Sequence, residues 1–321
     1  MSLERVHPEL IPVLDAFPSD LINLGDITGT RAAFDQMAAA AGSAAAAAEG
    51  VDMHDHCISS PGADHPRNIR LYRPTVRVAN PLPVLLWMHG GGYVLGNLDQ
   101  DDITLQGQVK RLACAIVSVD YRLAPEHPHP APLEDCYRAL RWVYDSAGKL
   151  GLDRSRIAVG GASAGGGLAA GLALLARDRA EIKIAFQLLI YPMVDDRNTL
   201  PASSIHPDTF IWSRNSNRLA WRAYLGAEPG SPEISPYAAP ARAPDLSRLP
   251  PAYIPVGELD LFLGENIDYA RRLIAAGVPA ELHVYPGAFH GFDGFAPDAS
   301  ISQRFRADRD AALLRAFSAR G

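Results

Sequence analysis

The sequence predicts an α/β protein: a mostly parallel, twisted sheet of about eight strands, flanked by helices and carrying a helical cap. Three observations carry that prediction. Short apolar runs alternate with amphipathic helical patterns along most of the chain. Three consecutive glycines follow one run, and a serine set among small residues follows another. With 321 residues, 48% of them apolar, the chain can bury one large sheet and an added lobe.

The elements read in order as follows. Residues 1 to about 48 are helix-prone, although Gly42-Ser43 interrupts the Ala-rich stretch Ala38–Ala48, which reads as a mobile cap element. His54–Ile58 and Asn68–Tyr72 suggest an early hairpin. Strands then fall at Val84–Met88, Ala115–Val119, Ile157–Val159, Ala185–Ile190, Ala252–Val256 and Glu281–Tyr285. Helical patterns lie at Asp101–Leu112, Leu133–Ala147, Ala164–Ala176, Glu265–Ala276 and Gln303–Ala319. Apolar strands alternating with such helices make a sheet covered on both faces. The rhythm breaks from Asp195 to about Pro250, a Pro-rich stretch with Trp212, Trp221 and Tyr224 in a helical pattern. This stretch reads as a lobe over the carboxyl ends of the strands, where α/β sheets place ligands. The division is therefore 1–50 as an N-terminal cap segment, 51–194 with 251–321 as the main domain, and 195–250 as an inserted cap segment.

Composition narrows the function classes. A net charge of −6 and the lack of a basic stripe argue against nucleic acid as a partner. No apolar run approaches the ~20 residues of a membrane helix. The first residues lack the apolar core of a signal peptide, which suggests a cytoplasmic protein. Three cysteines, Cys57, Cys114 and Cys136, are too few for a disulfide framework and have no zinc spacing.

The chemistry concentrates in two glycine-rich turns. Gly161-Ala162-Ser163-Ala164-Gly165 sits between a strand and a small-residue helix. A serine in such a turn adopts a strained backbone, which only small neighbours permit, and its hydroxyl points away from the sheet. The five residues alone would also suit a serine that merely caps the helix. His89-Gly90-Gly91-Gly92-Tyr93 follows the strand Val84–Met88. Three glycines there cost chain entropy, and they allow backbone N–H groups to face a developing oxyanion that a Cβ would obstruct. No Lys-Ser/Thr follows them, so this is not a P-loop.

With these turns, the sequence resembles the hormone-sensitive-lipase-like esterases of the α/β-hydrolase superfamily. Their HGGG-aromatic and GDSAGG motifs correspond to the two turns. Their DYRLAPEHP run recurs unchanged at Asp120–Pro128. Further matches are Pro130–Asp135, Ser235–Pro240 and Leu249–Ala252, and the resemblance spans roughly residues 50 to 320. It implies an α/β-hydrolase fold, a Ser163 nucleophile, and an oxyanion hole from the N–H groups of Gly91, Gly92 and Ala164. His89 would support the glycine loop, and Asp120–Pro128 reads as a buried polar scaffold behind it. Two positions depart from the family: Ala162 replaces Asp or Thr, and Gly167 replaces Asn, each removing a hydrogen-bonding side chain near the turn.

The base is His290, on a loop after the last predicted strand that Pro286 and Gly287 keep from becoming helix. His283 lies within that strand, where packing explains it, and His54 and His56 lie in the early hairpin. The acid is Asp260, after the strand Ala252–Val256, placed to fix the tautomer of the base. The family's DPLxD run is broken here, since Asp260-Leu261-Phe262-Leu263-Gly264 lacks the Pro and the second Asp. Glu258 therefore stays open as a rival, with Asp195 and Asp196 behind it.

The implied activity is hydrolysis of short- to medium-chain carboxylic esters through an acyl-enzyme, in lipid metabolism, without metal or organic cofactor. Tyr93, Trp212 and Trp221 are candidates for the pocket wall, with core packing of the cap as the alternative. A homodimer along Glu281–Tyr285 is the partner that the resemblance suggests. A non-catalytic receptor on the same fold is a rival reading. The plant gibberellin receptors resemble these esterases but lack the triad histidine, and His290 argues against that reading. An amidase, a lactonase or a sugar-ester deacetylase would share the same triad.

Overall fold

A computed structural model describes residues 3–17, 22–40, 48–58, 66–76, 81–198 and 210–318. Two helices, α1 (Ile11–Ala16) and α2 (Ile27–Ala40), precede an antiparallel pair, β1 (Val51–Ile58) and β2 (Arg67–Pro74). Alternation follows: β3 (Leu82–Met88), α3 (Asp102–Leu112), β4 (Ala115–Val119), α4 (Ala131–Leu150), β5 (Leu152–Ala162), α5 (Ala164–Arg179) and β6 (Phe186–Ile190). The inserted stretch holds α6 (Arg214–Leu225). The chain then runs through β7 (Ala252–Gly257), α7 (Leu263–Ala275), β8 (Ala280–Tyr285), α8 (Phe292–Phe295) and α9 (Ser300–Ser318).

The eight strands form one sheet in the order β1-β2-β4-β3-β5-β6-β7-β8. Only β2 runs against its neighbours, and β3 to β8 are parallel. The fold is the predicted one. Each central strand feeds two cores because successive side chains point to opposite faces. Val84, Leu86 and Met88 of β3 join a core beneath α4 and α5, with Leu140, Val143, Leu168 and Leu172. Leu85 and Trp87 join the other core, beneath α3 and α9, with Leu105, Val109, Phe305 and Leu313. All seven β3 residues are buried, which is why this strand reads as a continuous apolar run.

The differences from expectation are local. β5 begins at Leu152, five residues before Ile157, because Asp153-Arg154-Ser155-Arg156 is polar and its pairing with β3 is irregular between Leu82 and Val84. The hairpin strands are also longer than expected, at eight residues each. Among the described N-terminal residues, α1 and α2 are the α-helices, and α2 takes in the Ala-rich stretch as far as Ala40. Residues 41–47, where the rest of that stretch falls, lie outside the described residues. No helix among the described residues is long and apolar enough to cross a membrane.

The Asp120–Pro128 run acts through packing and hydrogen bonds. Tyr121 stacks on the His89 ring at 4.2 Å and donates to the His89 carbonyl at 2.8 Å. Arg122 donates to the fully buried Asp135 carboxylate through its guanidinium and its backbone N–H, at 2.8–3.1 Å. Arg31 on α2 donates to the carbonyls of Val94 (2.8 Å) and Ala124 (2.9 Å) and pairs with Glu126 (2.8 Å). The N-terminal segment is thereby tied to the chain just beyond the glycine loop.

Removing one partner of a buried ion pair leaves the other charge uncompensated, at roughly 3–5 kcal/mol. Asp135→Ala is therefore expected to lower unfolding stability by about that much in urea titration. A loss under about 1 kcal/mol would show that Arg122 finds solvent instead.

Candidate active site

The site lies at the carboxyl ends of β3, β5 and β7, beside the loop that follows β8. Each of its side chains is held there by local backbone chemistry. Ser163 sits between β5 and α5 at φ 57°, ψ −119°, a region that residues with a Cβ rarely occupy. Its N–H donates to the Ile190 carbonyl (2.9 Å), and its own carbonyl accepts from Gly167 and Met193 (3.0 Å each). These bonds over-determine the turn. The flanking glycines leave room for it: a Cβ on Gly165 would run into the Met88 and His89 carbonyl oxygens, and one on Gly161 into the Gly165 backbone.

His290 Nε2 lies 2.9 Å from Ser163 Oγ, and its Nδ1 lies 2.8 Å from Asp260 Oδ2. The carboxylate accepts, so Nδ1 carries the proton, and Nε2 presents a lone pair to the hydroxyl. The second Asp260 oxygen accepts the Phe262 N–H at 2.9 Å. The Asp260 side chain is fully buried, and Ser163 and His290 are each 7% exposed, so the three groups meet largely out of bulk water.

The rival acids are occupied elsewhere. Glu258 pairs with Arg5 (2.5 Å) and accepts the Gly287 N–H (2.9 Å). Asp195 binds Arg197 (2.7 Å), and the buried Asp196 takes Arg242 (2.5 Å) and the Gly230 N–H (2.7 Å). The missing Pro and second Asp of the family run leave Asp260 bonded to His290.

The glycine loop borders the serine: a Cβ on Gly90 would lie 3.7 Å from that of Ser163. Gly91 has φ +120°, and a Cβ there would run into the Leu95 carbonyl. Among the described residues, the N–H groups of Gly91, Gly92 and Ala164 donate to no protein acceptor. His89 is buried, and desolvation of its charged form pushes its pKa down to about 4. It is therefore neutral, with Nδ1 donating to the Gly90 carbonyl at 2.7 Å.

The three pocket candidates divide. Trp212 lies against the site: a Cβ on Gly92 would run into its indole, and its ring is 6.5 Å from that of His290. Ile211, just before it, has φ +67°, strained for a β-branched residue, and the Trp212 N–H donates back to the Phe210 carbonyl at 2.7 Å. Tyr93 and Trp221 sit deeper, in packing with α6. Both are completely buried. Tyr93 stacks on Tyr224 at 3.9 Å, meets Trp221 at 5.4 Å and donates to the Met193 carbonyl at 2.8 Å. They fasten α6 to the sheet, the packing alternative. His283 lies half-buried within β8, packs on Tyr253 at 5.0 Å and pairs with Glu281 at 2.7 Å.

Two ring neighbours of His290 were not singled out in the sequence. Phe262 meets it edge-on at 5.1 Å and 89°, and Tyr191 at 4.8 Å and 64°. Tyr191 directly follows β6 and Phe262 stands two residues after Asp260, and those positions were the available signal.

Comparisons with known proteins agree with this geometry. A family model described as the alpha/beta hydrolase fold matches residues 85–294. Carboxylesterase NlhH of Mycobacterium tuberculosis is 42% identical over 255 residues, 78% of this chain and 79% of that protein. Esterase LipI of the same organism is 41% identical over 240 residues, 73% of each. A solved bacterial heroin esterase superposes with a TM-score of 0.93 at 40% identity, covering 99% of this chain and 100% of that one.

The close backbone approach at Gly165 gives a direct check. Gly165→Ala must displace the Met88 carbonyl or the serine turn, an overpacking cost of about 1–3 kcal/mol. Thermal unfolding should register that loss, and an unchanged midpoint would contradict the packing described for the turn.

Proposed function

The chain belongs to the hormone-sensitive-lipase-like family of α/β hydrolases, and from that premise we propose that it cleaves short- to medium-chain carboxylic esters through Ser163, His290 and Asp260. It is a carboxylic ester hydrolase. The observation that carries the assignment of residues is the imidazole suspended between a buried carboxylate and a hydroxyl, within 2.9 Å of each. Nε2 takes the Ser163 proton as Oγ attacks the ester carbonyl, and Asp260 stabilises the imidazolium. The carbonyl oxygen, now negative, is met by the N–H groups of Gly91, Gly92 and Ala164. Collapse of the tetrahedral species releases the alcohol, which takes the proton from His290. Water deprotonated by Nε2 then attacks the acyl-enzyme, and the acid leaves with Ser163 restored.

Residues 1–50 and 195–250 are read as the cap over this site, with Trp212 as part of the pocket wall. An indole against both Gly92 and His290 leaves little room for a long substituent on the carbonyl. A homodimer along β8, a strand at the sheet edge, belongs to the same proposal, and size-exclusion chromatography tests it. So does a cytoplasmic location, which the three free thiols favour.

Ser163→Ala should reduce kcat for a p-nitrophenyl ester by on the order of 10⁴-fold or more. Phosphonate labelling should be confined to Ser163 in the parent protein. Asp260→Asn should lose about 10⁴-fold through the wrong tautomer, while Glu258→Gln should stay within a few-fold of the parent. Comparable losses in both acid variants would return Glu258 to contention. Across a chain-length series, Trp212→Ala is expected to move the preferred acyl group to a longer chain. A panel that includes amides and lactones separates the related hydrolases, and an unaltered chain-length profile in Trp212→Ala removes the indole from the wall.

A further inference from the structure

Two hydrogen bonds do not fix a histidine ring. The imidazole χ2 well is broad, so the packing around the ring also decides how well both nitrogens stay aligned with Asp260 and Ser163. Two aromatic rings, Phe262 and Tyr191, pack against it at steep angles. Phe262 is fully buried and adjoins the loop that carries Asp260. Tyr191 is different. It stands at the end of β6 with φ 33°, its N–H bonded to the Pro255 carbonyl at 2.8 Å. Its ring lies between His290, at 4.8 Å, and Phe305 of α9, at 6.3 Å. Its hydroxyl donates to Asp293 Oδ1 at 2.9 Å. Asp293 lies in the first turn of α8, three residues beyond His290, so the tether returns to the segment that carries the imidazole. Burial pushes the Asp293 carboxyl upward, and the nearby positive charge of Arg309, itself 1% exposed on α9, opposes that shift.

We propose that Tyr191, tethered by Asp293 and backed by α9, is a positioning residue that holds the His290 ring in register with Ser163. The inference rests on the base reading above. A buried O–H···carboxyl bond fixes where the phenol ring can lie, and the edge of that ring then fixes the imidazole plane. The arrangement acts on the transition state more than on substrate binding, because Tyr191 would guide proton transfer and hold no part of the ester. Small displacements of a catalytic group weigh heavily on rate: a shift of about 1 Å can cost 10²-fold.

The test uses four single variants and one double variant of the full chain, each with a thermal midpoint to verify folding. Tyr191→Phe keeps the ring and loses the tether, and kcat should fall about 10-fold with KM within about twofold. Asp293→Ala should match it. The double variant should be no worse than either single, because both remove one bond. Asp293→Asn keeps an acceptor for the hydroxyl and should restore most of kcat. Tyr191→Leu removes the edge itself and should lose about 100-fold. Wild-type kcat in folded Tyr191→Phe would overturn the proposal, as would a loss confined to KM or additive losses in the double variant. So would an Asp293→Asn variant as slow as Asp293→Ala. Failure of the parent protein to label with phosphonate would instead sink the base reading, so the two failures are distinguishable.

Discussion

The structure depends on one backbone constraint: the serine turn at the end of β5 must hold φ 57°, ψ −119° while α5 begins at the very next residue. Such a conformation stores on the order of 1–3 kcal/mol and persists only when its surroundings leave no alternative. Here they are backbone atoms. Gly161 and Gly165 let β3, β5 and α5 approach so closely that no Cβ fits, and Ile190, Met193 and Gly167 hold the serine amide and carbonyl. The parallel sheet supplies the rigidity, since β5 is bonded to both β3 and β6 across its carboxyl end. A serine on a free loop would relax, and the helix amides beside it would find other acceptors.

That dependence explains which parts were legible in the sequence. Buried parallel strands must be apolar on both faces, so β3, β4 and β6 announce themselves as short runs, and their ends place the site. The glycines were legible for a steric reason, because backbone approach excludes every other residue. Less legible were elements without such a penalty. The polar start of β5 concealed five residues of strand, and α8 is a single turn with no period to detect. Tyr93 and Trp221 show a different limit. An aromatic residue in such a pattern suits a ligand wall and a core equally, and both of these side chains are completely buried.

The acid shows how a broken motif can keep its geometry. The family run places a Pro and a second Asp after the triad carboxylate, and this chain has neither. In their absence, Asp260 is oriented by the Phe262 N–H and by His290, one partner for each oxygen. Phe262 contributes twice, its amide aiming the carboxylate and its ring flanking the imidazole. Such a residue leaves no trace in a motif search because its amide is common to every sequence, and its ring matters only through His290, 28 positions away.

Polar groups away from Ser163, His290 and Asp260 carry a related burden. The loops that leave the sheet after β6 are held by buried acids on specific donors. Glu265 takes the Val194 and Asp195 N–H groups at 2.7 and 3.2 Å, and Asp196 takes Arg242 and Gly230. Burial drives the Glu265 carboxyl well above its ordinary value, so the charge is disfavoured while the hydrogen bonds that oppose the shift remain. An apolar residue could fill the same space, but it would leave those amides unpaired, at about 1–3 kcal/mol each. The argument therefore runs opposite to the usual one for a core. These acids do not add much net stability, since desolvation offsets most of what their bonds supply. What they provide is a fixed course for the residues that directly follow β6, from Val194 to Asp196.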